Sequence, residues 1–241
     1  MRPLTDERRF QLLRFLNRHQ LRVRDLKPLD RALTHSSYAF EKQLDGNNER
    51  LEFLGDAVVG MFASRYLFDL YPGEPEGVLA KHKSSLVSGN VLGRRALELG
   101  LGPLLLVGRG EEQTGARQRA RLLGSALEAV VGALFLESGA AVIEPFVKKV
   151  ILEPCMALTR SAEYGDYKSQ LQEYAQKIGT GSPVYEIVSV SGPDHDRQFE
   201  AVVLIDGGIQ GCGKGSRKKI AENRAAMHAH MVLLKKLEPP D

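Results

Sequence analysis

Cysteine is scarce in this chain: Cys155 and Cys212 are the only two in 241 residues. They are far apart and lack zinc-ligand spacing, so neither a disulfide framework nor a structural zinc site is expected, and reduced core or loop cysteines fit best. No run of about 18 apolar residues occurs, so no membrane span is expected. The N-terminus is charged and has no apolar stretch of the kind a secretory signal needs, and a cytoplasmic protein fits. Strong charge of either sign is also missing. The net charge is +3, which permits a polyanionic partner without demanding one, so charge placement matters more than the sum. Hydrophobic residues make up 43% of the chain, ample for one large or two ordinary domains.

Periodicity divides the chain in two. Up to about residue 158 the pattern is helical and strand signals are absent. Phe10, Leu13, Phe15 and Leu16 make an amphipathic start, and helical segments follow around 30–39, 49–70, 77–99, 119–137 and 141–158. Residues 159–165 are short, polar and end in Gly, like a linker. A helix over 166–178 then precedes strand-like runs at Val184–Val190 and Gln198–Ile205, with a third short strand over Ile209–Gly213. A last helix is expected from about 216 to 237. The fold class is therefore multi-domain: an all-α domain over 1–158, a linker over 159–165, and a small α+β domain of order α-β-β-β-α over 166–238.

The chemistry concentrates on two acidic helices. Glu49, Glu52 and Asp56 stand at i, i+3 and i+7, which places them on one helical stripe at about 100° per residue. Leu51, Phe53, Leu54, Val58 and Val59 fill the other faces, so that helix should be largely buried. Glu52 and Asp56 are a like-charged i, i+4 pair, which costs a few tenths of a kcal/mol, roughly, in an isolated helix. A hard divalent cation would relieve that cost, because such ions take carboxylate oxygens. In the second helix Leu122, Leu123, Leu127, Val130, Val131 and Leu134 supply a core face, and Glu128 sits among Ala126, Ala129 and Gly132. Small neighbours let another helix approach, which would aim Glu128 at the first stripe. Four carboxylates from two helices could hold Mg²⁺ or Mn²⁺ for phosphodiester hydrolysis. Taken alone, the acidic triple reads equally as a solvated helix face bridged to Arg50 or Lys81.

The basic residues gather at one junction, Gly213-Lys214-Gly215-Ser216-Arg217-Lys218-Lys219. Ser216 can N-cap the last helix, with Lys214 in the turn before it and Arg217, Lys218 and Lys219 in its first turn. Cations there oppose the helix dipole, whereas cations beside a helix N-terminus make a good phosphate site. Gly208 to Lys214 fits a phosphate-loop spacing, but Gly215 stands where Ser or Thr is required and no parallel βαβ unit surrounds it, so no nucleotide cofactor is expected.

The motifs together resemble the bacterial ribonuclease III family along nearly the whole chain. Asn48-Glu49-Arg50-Leu51-Glu52-Phe53-Leu54-Gly55-Asp56-Ala57 is similar to its signature, Leu33-Thr34-His35-Ser36-Ser37-Tyr38 to its upstream helix, and Glu128-Ala129-Val130-Val131-Gly132-Ala133-Leu134 to its second catalytic helix. The resemblance implies that Glu49, Asp56 and Glu128 bind the catalytic metal, with Asp56 and Glu128 central to catalysis. Glu52 matches a less central acid, Glu76 a further acid near the cleft, and Phe53 an aromatic at a homodimer interface. His35 is assigned no catalytic role. One position departs: Ser125 stands where the family has Asp, leaving a weak or water-mediated ligand. Activity with Ser125 or water in the gap, slow or Mn²⁺-preferring activity, and RNA binding without cleavage all remain open, and the five acids retained favour activity. The C-terminal block resembles a double-stranded RNA-binding domain through Asp166-Tyr167-Lys168-Ser169-Gln170-Leu171-Gln172-Glu173-Tyr174 and Gly192-Pro193-Asp194-His195-Asp196. Such domains read A-form shape. By resemblance Gln172 and Glu173 face one minor groove, His195 enters the next, and Lys214, Arg217, Lys218 and Lys219 clamp phosphate. The implied activity is endonucleolytic cleavage of double-stranded RNA, leaving 5′-phosphate and 3′-hydroxyl ends, on ribosomal RNA precursors and messenger RNAs. The rival reading is a non-catalytic double-stranded RNA-binding protein.

Overall fold

A computed structural model describes residues 3–161 and 165–235. It divides into two compact units, residues 1–157 and 158–241. The last three residues of the expected C-terminal domain (236–238) and the middle of the expected linker (162–164) lie outside the described residues.

The first unit is helical. It runs through α1 (Asp6–Arg18), α2 (Lys27–Ala32), α3 (Ser36–Glu41), α4 (Glu49–Leu70), α5 (Glu76–Leu86), α6 (Gly89–Glu98), α7 (Arg109–Gln113) and α8 (Ala120–Ser138). A continuous helical stretch closes it: α9 (Ala140–Phe146), a π-helical segment Val147–Leu152, and α10 (Glu153–Thr159). The segment expected as one helix over 77–99 is two. Ser88 has the extended backbone of an N-cap, and Gly89 after it is a poor helix former. The break lets α6 meet α8 at backbone contact: a Cβ on Gly93 would strike the Ala120 carbonyl, and one on Gly124 would lie 2.9 Å from the Gly89 carbonyl oxygen. Residues 30–39 likewise divide, because His35 caps α3 by accepting from the Ser37 N–H at 3.2 Å. One isolated parallel bridge, Thr34 with Leu106, interrupts the all-helical expectation.

Two charged groups are spent on this scaffold. The buried Arg8 donates to Asp30 at 2.7 Å and to the Leu104 carbonyl at 2.7 Å, tying α1 to α2 and to the segment after α6. Pro154 has no N–H for the Val150 carbonyl four residues earlier. Arg95 Nε supplies the donor instead, at 2.6 Å.

The second unit has α11 (Tyr167–Lys177), an antiparallel sheet of order β1-β2-β3 (Val184–Ser191, Gln198–Ile205, Gly208–Gly215) and α12 (Lys218–Lys235). The expected α-β-β-β-α order is the observed one. Leu171, Ala175, Ala201, Val203, Ile205, Ala221, Ala225, Ala226 and Ala229 form its core. The alternating glycines of β3 have a packing role. A Cβ on Gly211 or Gly213 would strike the backbone of Ala225 or Ala221, so β3 and the alanine face of α12 lie in backbone contact.

Candidate functional site

Glu49, Glu52 and Asp56 all lie on α4, as their spacing requires, and Ser125 and Glu128 lie one turn apart on α8. The two helices cross where both are smallest. A Cβ on Gly55 would overlap the Glu128 backbone carbonyl, and one on Gly132 would overlap the Leu51 carbonyl. Gly55 therefore puts the backbone of α8, at Glu128, directly beside the acidic stripe of α4.

The electrostatics record that meeting. The Glu128 carboxyl is pushed up to about 7 by burial, then by the negative charges of Asp56 and Glu52. Two helices thus bring at least three carboxylates within electrostatic reach of one another. The salt-bridged reading fails for these acids: no ion pair among the described residues involves Glu49, Glu52, Asp56 or Glu128. Among the described residues no three His, Cys, Asp or Glu side chains are arranged so that they could hold a metal ion. Glu49 and Asp56 are exposed, while Glu52 and Glu128 are half-buried. Like-charged carboxylates repel, and exposed ones are free to extend toward solvent.

Glu76 opens α5 after Pro75 and is exposed, in the first turn where an acid complements the helix dipole. No described interaction joins it to the other acids. Ser125 is half-buried and its hydroxyl makes no hydrogen bond among the described residues. Phe53 corrects the expectation that α4 buries its apolar residues all round. It is 83% exposed, and Met61 and Phe68 follow it along α4 at 49% and 67%. Leu51, Val58, Val59 and Phe62 form the face that is buried.

In the second unit Gln172 is half-buried and Glu173 exposed on α11. Arg217, Lys218 and Lys219 are exposed where α12 begins. Two local expectations change. Ser216 does not cap α12, because the Arg217 carbonyl accepts its first bonds, from the N–H groups of Ile220 and Ala221. Lys214 is not in a turn. It belongs to β3, where it pairs with Glu200 at 3.4 Å. His195 sits in the short turn Asp194–Asp196, and its side chain lies outside what is described.

Two positioning groups escaped the sequence reading. Asn223, buried within α12, accepts from the N–H groups of Tyr167 and Lys168 and donates to the Gly165 carbonyl. With Asp166 accepting from Ser169 N–H, it fixes the start of α11 against α12. An Asn within a run of helix formers is the signal that could have found it. In the first unit, Ser37 Oγ bonds His35 Nδ1 at 2.8 Å and accepts from Gly108 N–H at 2.9 Å. The His-Ser motif thus fastens the loop after α6, consistent with a structural His35.

Comparison with known proteins places these features. A ribonuclease-III-like family profile matches residues 25–155, and a double-stranded RNA binding motif matches 167–233. The protein called Ribonuclease 3 in Treponema denticola is 41% identical over 94% of this chain and 93% of its own length. The chain belongs to the ribonuclease III family. Ribonuclease 3 of Moorella thermoacetica is 40% identical over 96% of this chain and 99% of its own. Among solved structures, the nuclease domain of ribonuclease III from Campylobacter jejuni is similar to this chain. It has 33% identity and a TM-score of 0.53, over 62% of this chain and 97% of that one. A second structure of that domain, at 34% identity and a TM-score of 0.52 over 59% of this chain and 94% of that one, is described as flexible in a region involved in dimer formation.

Proposed function

We propose that this ribonuclease III family member is a metal-dependent endoribonuclease of double-stranded RNA. The observation that carries the reading is Glu128, raised to about 7 beside Asp56 and Glu52 at a helix crossing closed down to backbone contact. Burying unneutralised acids against one another is unfavourable for a purely structural site. It is useful where a cation is to be drawn in.

The donor set fits a hard divalent cation, since all four acids offer carboxylate oxygens and none offers sulfur or imidazole. Glu49, Asp56 and Glu128 would hold it, with Glu52 adding negative potential and Ser125 a neutral oxygen. Mg²⁺ suits this set, with Mn²⁺ as a substitute. When bound, such an ion makes a water nucleophilic near neutral pH and polarises the phosphoryl oxygens. Glu128, titrating near neutrality, can hold a proton until a cation displaces it. Ser125 leaves the site one charge short and so weakens its grip on the ion. Glu76 makes no interaction with this cluster among the described residues and is proposed as a supporting acid at the cleft.

Duplex binding falls to the second unit. Arg217, Lys218 and Lys219 at the start of α12, with Lys214 beside them on β3, are proposed to clamp phosphates, while Gln172, Glu173 and His195 enter minor grooves. The exposed row Phe53, Met61 and Phe68 runs along α4 beside the acids, and we assign it to a homodimer interface. The Campylobacter jejuni nuclease domain is described as having a region involved in dimer formation, which supports a homodimer without locating its interface. Two sites in a dimer would cut both strands, leaving 5′-phosphate and 3′-hydroxyl ends on precursors of ribosomal RNA and on structured messenger RNA. The chain has no helix among the described residues long and apolar enough to cross a membrane, and we assign it to the cytoplasm.

The test is incubation with a long RNA duplex in Mg²⁺ and in Mn²⁺. Cleavage in either supports the reading. Duplex binding with no cleavage in either metal would leave a double-stranded RNA-binding protein with a disabled site.

A further inference from the structure

The N-terminal segment carries the most lopsided charge in the chain. From Arg8 to Arg24 there are six arginines and no Asp, Glu or Lys. Arg8 is consumed in the buried pair with Asp30. The other five (Arg9, Arg14, Arg18, Arg22 and Arg24) are all exposed, and none forms an ion pair among the described residues. Acids only border the stretch: Asp6 and Glu7 open α1, and Asp25 follows the last arginine.

The apolar residues of α1 sharpen the point. Leu12, Phe15 and Leu16 are buried, but Phe10 is 66% and Leu13 42% exposed, against the expectation that both belong to the inner face. Phe10, Arg14 and Arg18 follow one another at four-residue steps. Each step turns the helix by only about 40° and advances it by about 6 Å, so the three form one outer ridge. Arg9 and Leu13 flank it. The backbone at Arg22 is held to the end of α8 by Ser138 Oγ, at 3.2 Å from its carbonyl, which keeps the last two arginines beside a fixed element. Phe10 and these arginines all precede the ribonuclease-III-like stretch, which begins at residue 25, and the acids of the crossing belong to other helices, α4 and α8.

We infer that the outer ridge of α1, with the segment after it, binds single-stranded RNA: Phe10 stacks on an unpaired base while Arg14, Arg18 and Arg22 follow the phosphate backbone. Guanidinium groups recognise phosphate, and an exposed aromatic among cations is the arrangement that holds unpaired strands. A duplex offers no base face to Phe10 except at its ends. The natural occupant is therefore the unpaired RNA flanking a duplex, and the inference extends the proposed function rather than restating it. The site would hold structured substrates by their single-stranded arms while the other unit reads the helix.

The test uses the full chain in EDTA and follows the fluorescence anisotropy of a labelled oligouridine. Wild-type protein should bind it. Replacing Arg14, Arg18 and Arg22 together with Ala should flatten the plot of log affinity against log salt by about 2, since each single-strand phosphate contact contributes roughly 0.7. Phe10→Ala should weaken binding about fivefold or more and Phe10→Tyr should restore it, because tyrosine also stacks. Unaltered melting temperatures verify that the variants fold, and their cleavage of a blunt duplex should match wild type. Failure of wild type to bind oligouridine, or equal binding by all variants, would overturn the inference. Displacement of oligouridine by polyglutamate as effectively as by unlabelled oligouridine would overturn it in favour of an acidic protein partner. Loss of blunt-duplex cleavage in wild type would instead sink the proposed function, whatever oligouridine does.

Discussion

Of the element pairs that meet at backbone contact, two serve opposite charges. At α4 and α8, Gly55 and Gly132 close the gap, and the result is a half-buried Glu128 beside Asp56 and Glu52. At β3 and α12, Gly211 and Gly213 close the gap over alanines, and the result is an exposed row of Lys214, Arg217, Lys218 and Lys219. The proposed metal site needs convergence, since its candidate donors are divided between α4 and α8. The proposed basic site needs only presentation, since each cation would meet its own phosphate. Perturbing the packing should therefore damage the two sites unequally.

The largest effect is expected from removing one converging acid. Glu128→Gln should lower cleavage by roughly 10²–10⁴-fold, the loss that follows when several kcal/mol of metal-assisted stabilisation go. Duplex affinity in EDTA should stay within about twofold. Next, changing Arg217, Lys218 and Lys219 together to Ala should reverse the pattern. The slope of log affinity against log salt should fall by about 3, at roughly 0.9 per duplex phosphate contact, with kcat at saturating RNA retained. If kcat fell as much as affinity, the two sites would not be separable.

Paired glycine substitutions test the comparison directly. Gly55→Ala and Gly213→Ala each place a Cβ against backbone, and each should cost about 1–3 kcal/mol of stability, read as a lower melting temperature. Only Gly55→Ala should also lower kcat, because it moves α8 at Glu128 itself. A smaller effect, a several-fold gain in Mg²⁺-dependent rate, is expected from Ser125→Asp, which restores a charged oxygen one turn from Glu128. An unchanged or lower rate would count against Ser125 as a weakened ligand position.

What was legible in the sequence follows the same division. Spacing along one element was readable: Glu49–Leu70 is the helix the acidic stripe requires, and β2 spans the strand-like run Gln198–Ile205. Packing between elements was not. α4 has apolar residues on every side, so periodicity could not tell that Leu51, Val58 and Val59 face inward while Phe53 faces out. The same ambiguity misplaced Phe10 and Leu13 on α1. The third short strand expected over Ile209–Gly213 is present as Gly208–Gly215, but the packing role of its glycines shows only with α12 against them. Lys214 read as a turn residue because three glycines surround it, yet the ladder to β2 carries it as strand.

The acidic crossing also sets a pH dependence. An ordinary Glu titrates near 4.5, and Glu128 in the fold near 7. Below about pH 4.5 the carboxyl is protonated in both folded and unfolded chains and has no effect on stability. Between about 4.5 and 7 the unfolded chain releases its proton while the folded chain retains it, so stability falls as pH rises. Above about 7 both are ionised and the loss is complete. Glutamine carries no charge at any of these values. In EDTA, therefore, Glu128→Gln should melt with wild type near pH 4, above it by a growing margin up to about pH 7, and by a constant margin beyond. At pH 8, added Mg²⁺ should raise the melting temperature of wild type more than that of Glu128→Gln, because the cation takes over the neutralising role of the proton. A margin that shrank with rising pH would mean that Glu128 is stabilised as a carboxylate, and the crowding of acids at the crossing would no longer explain the site.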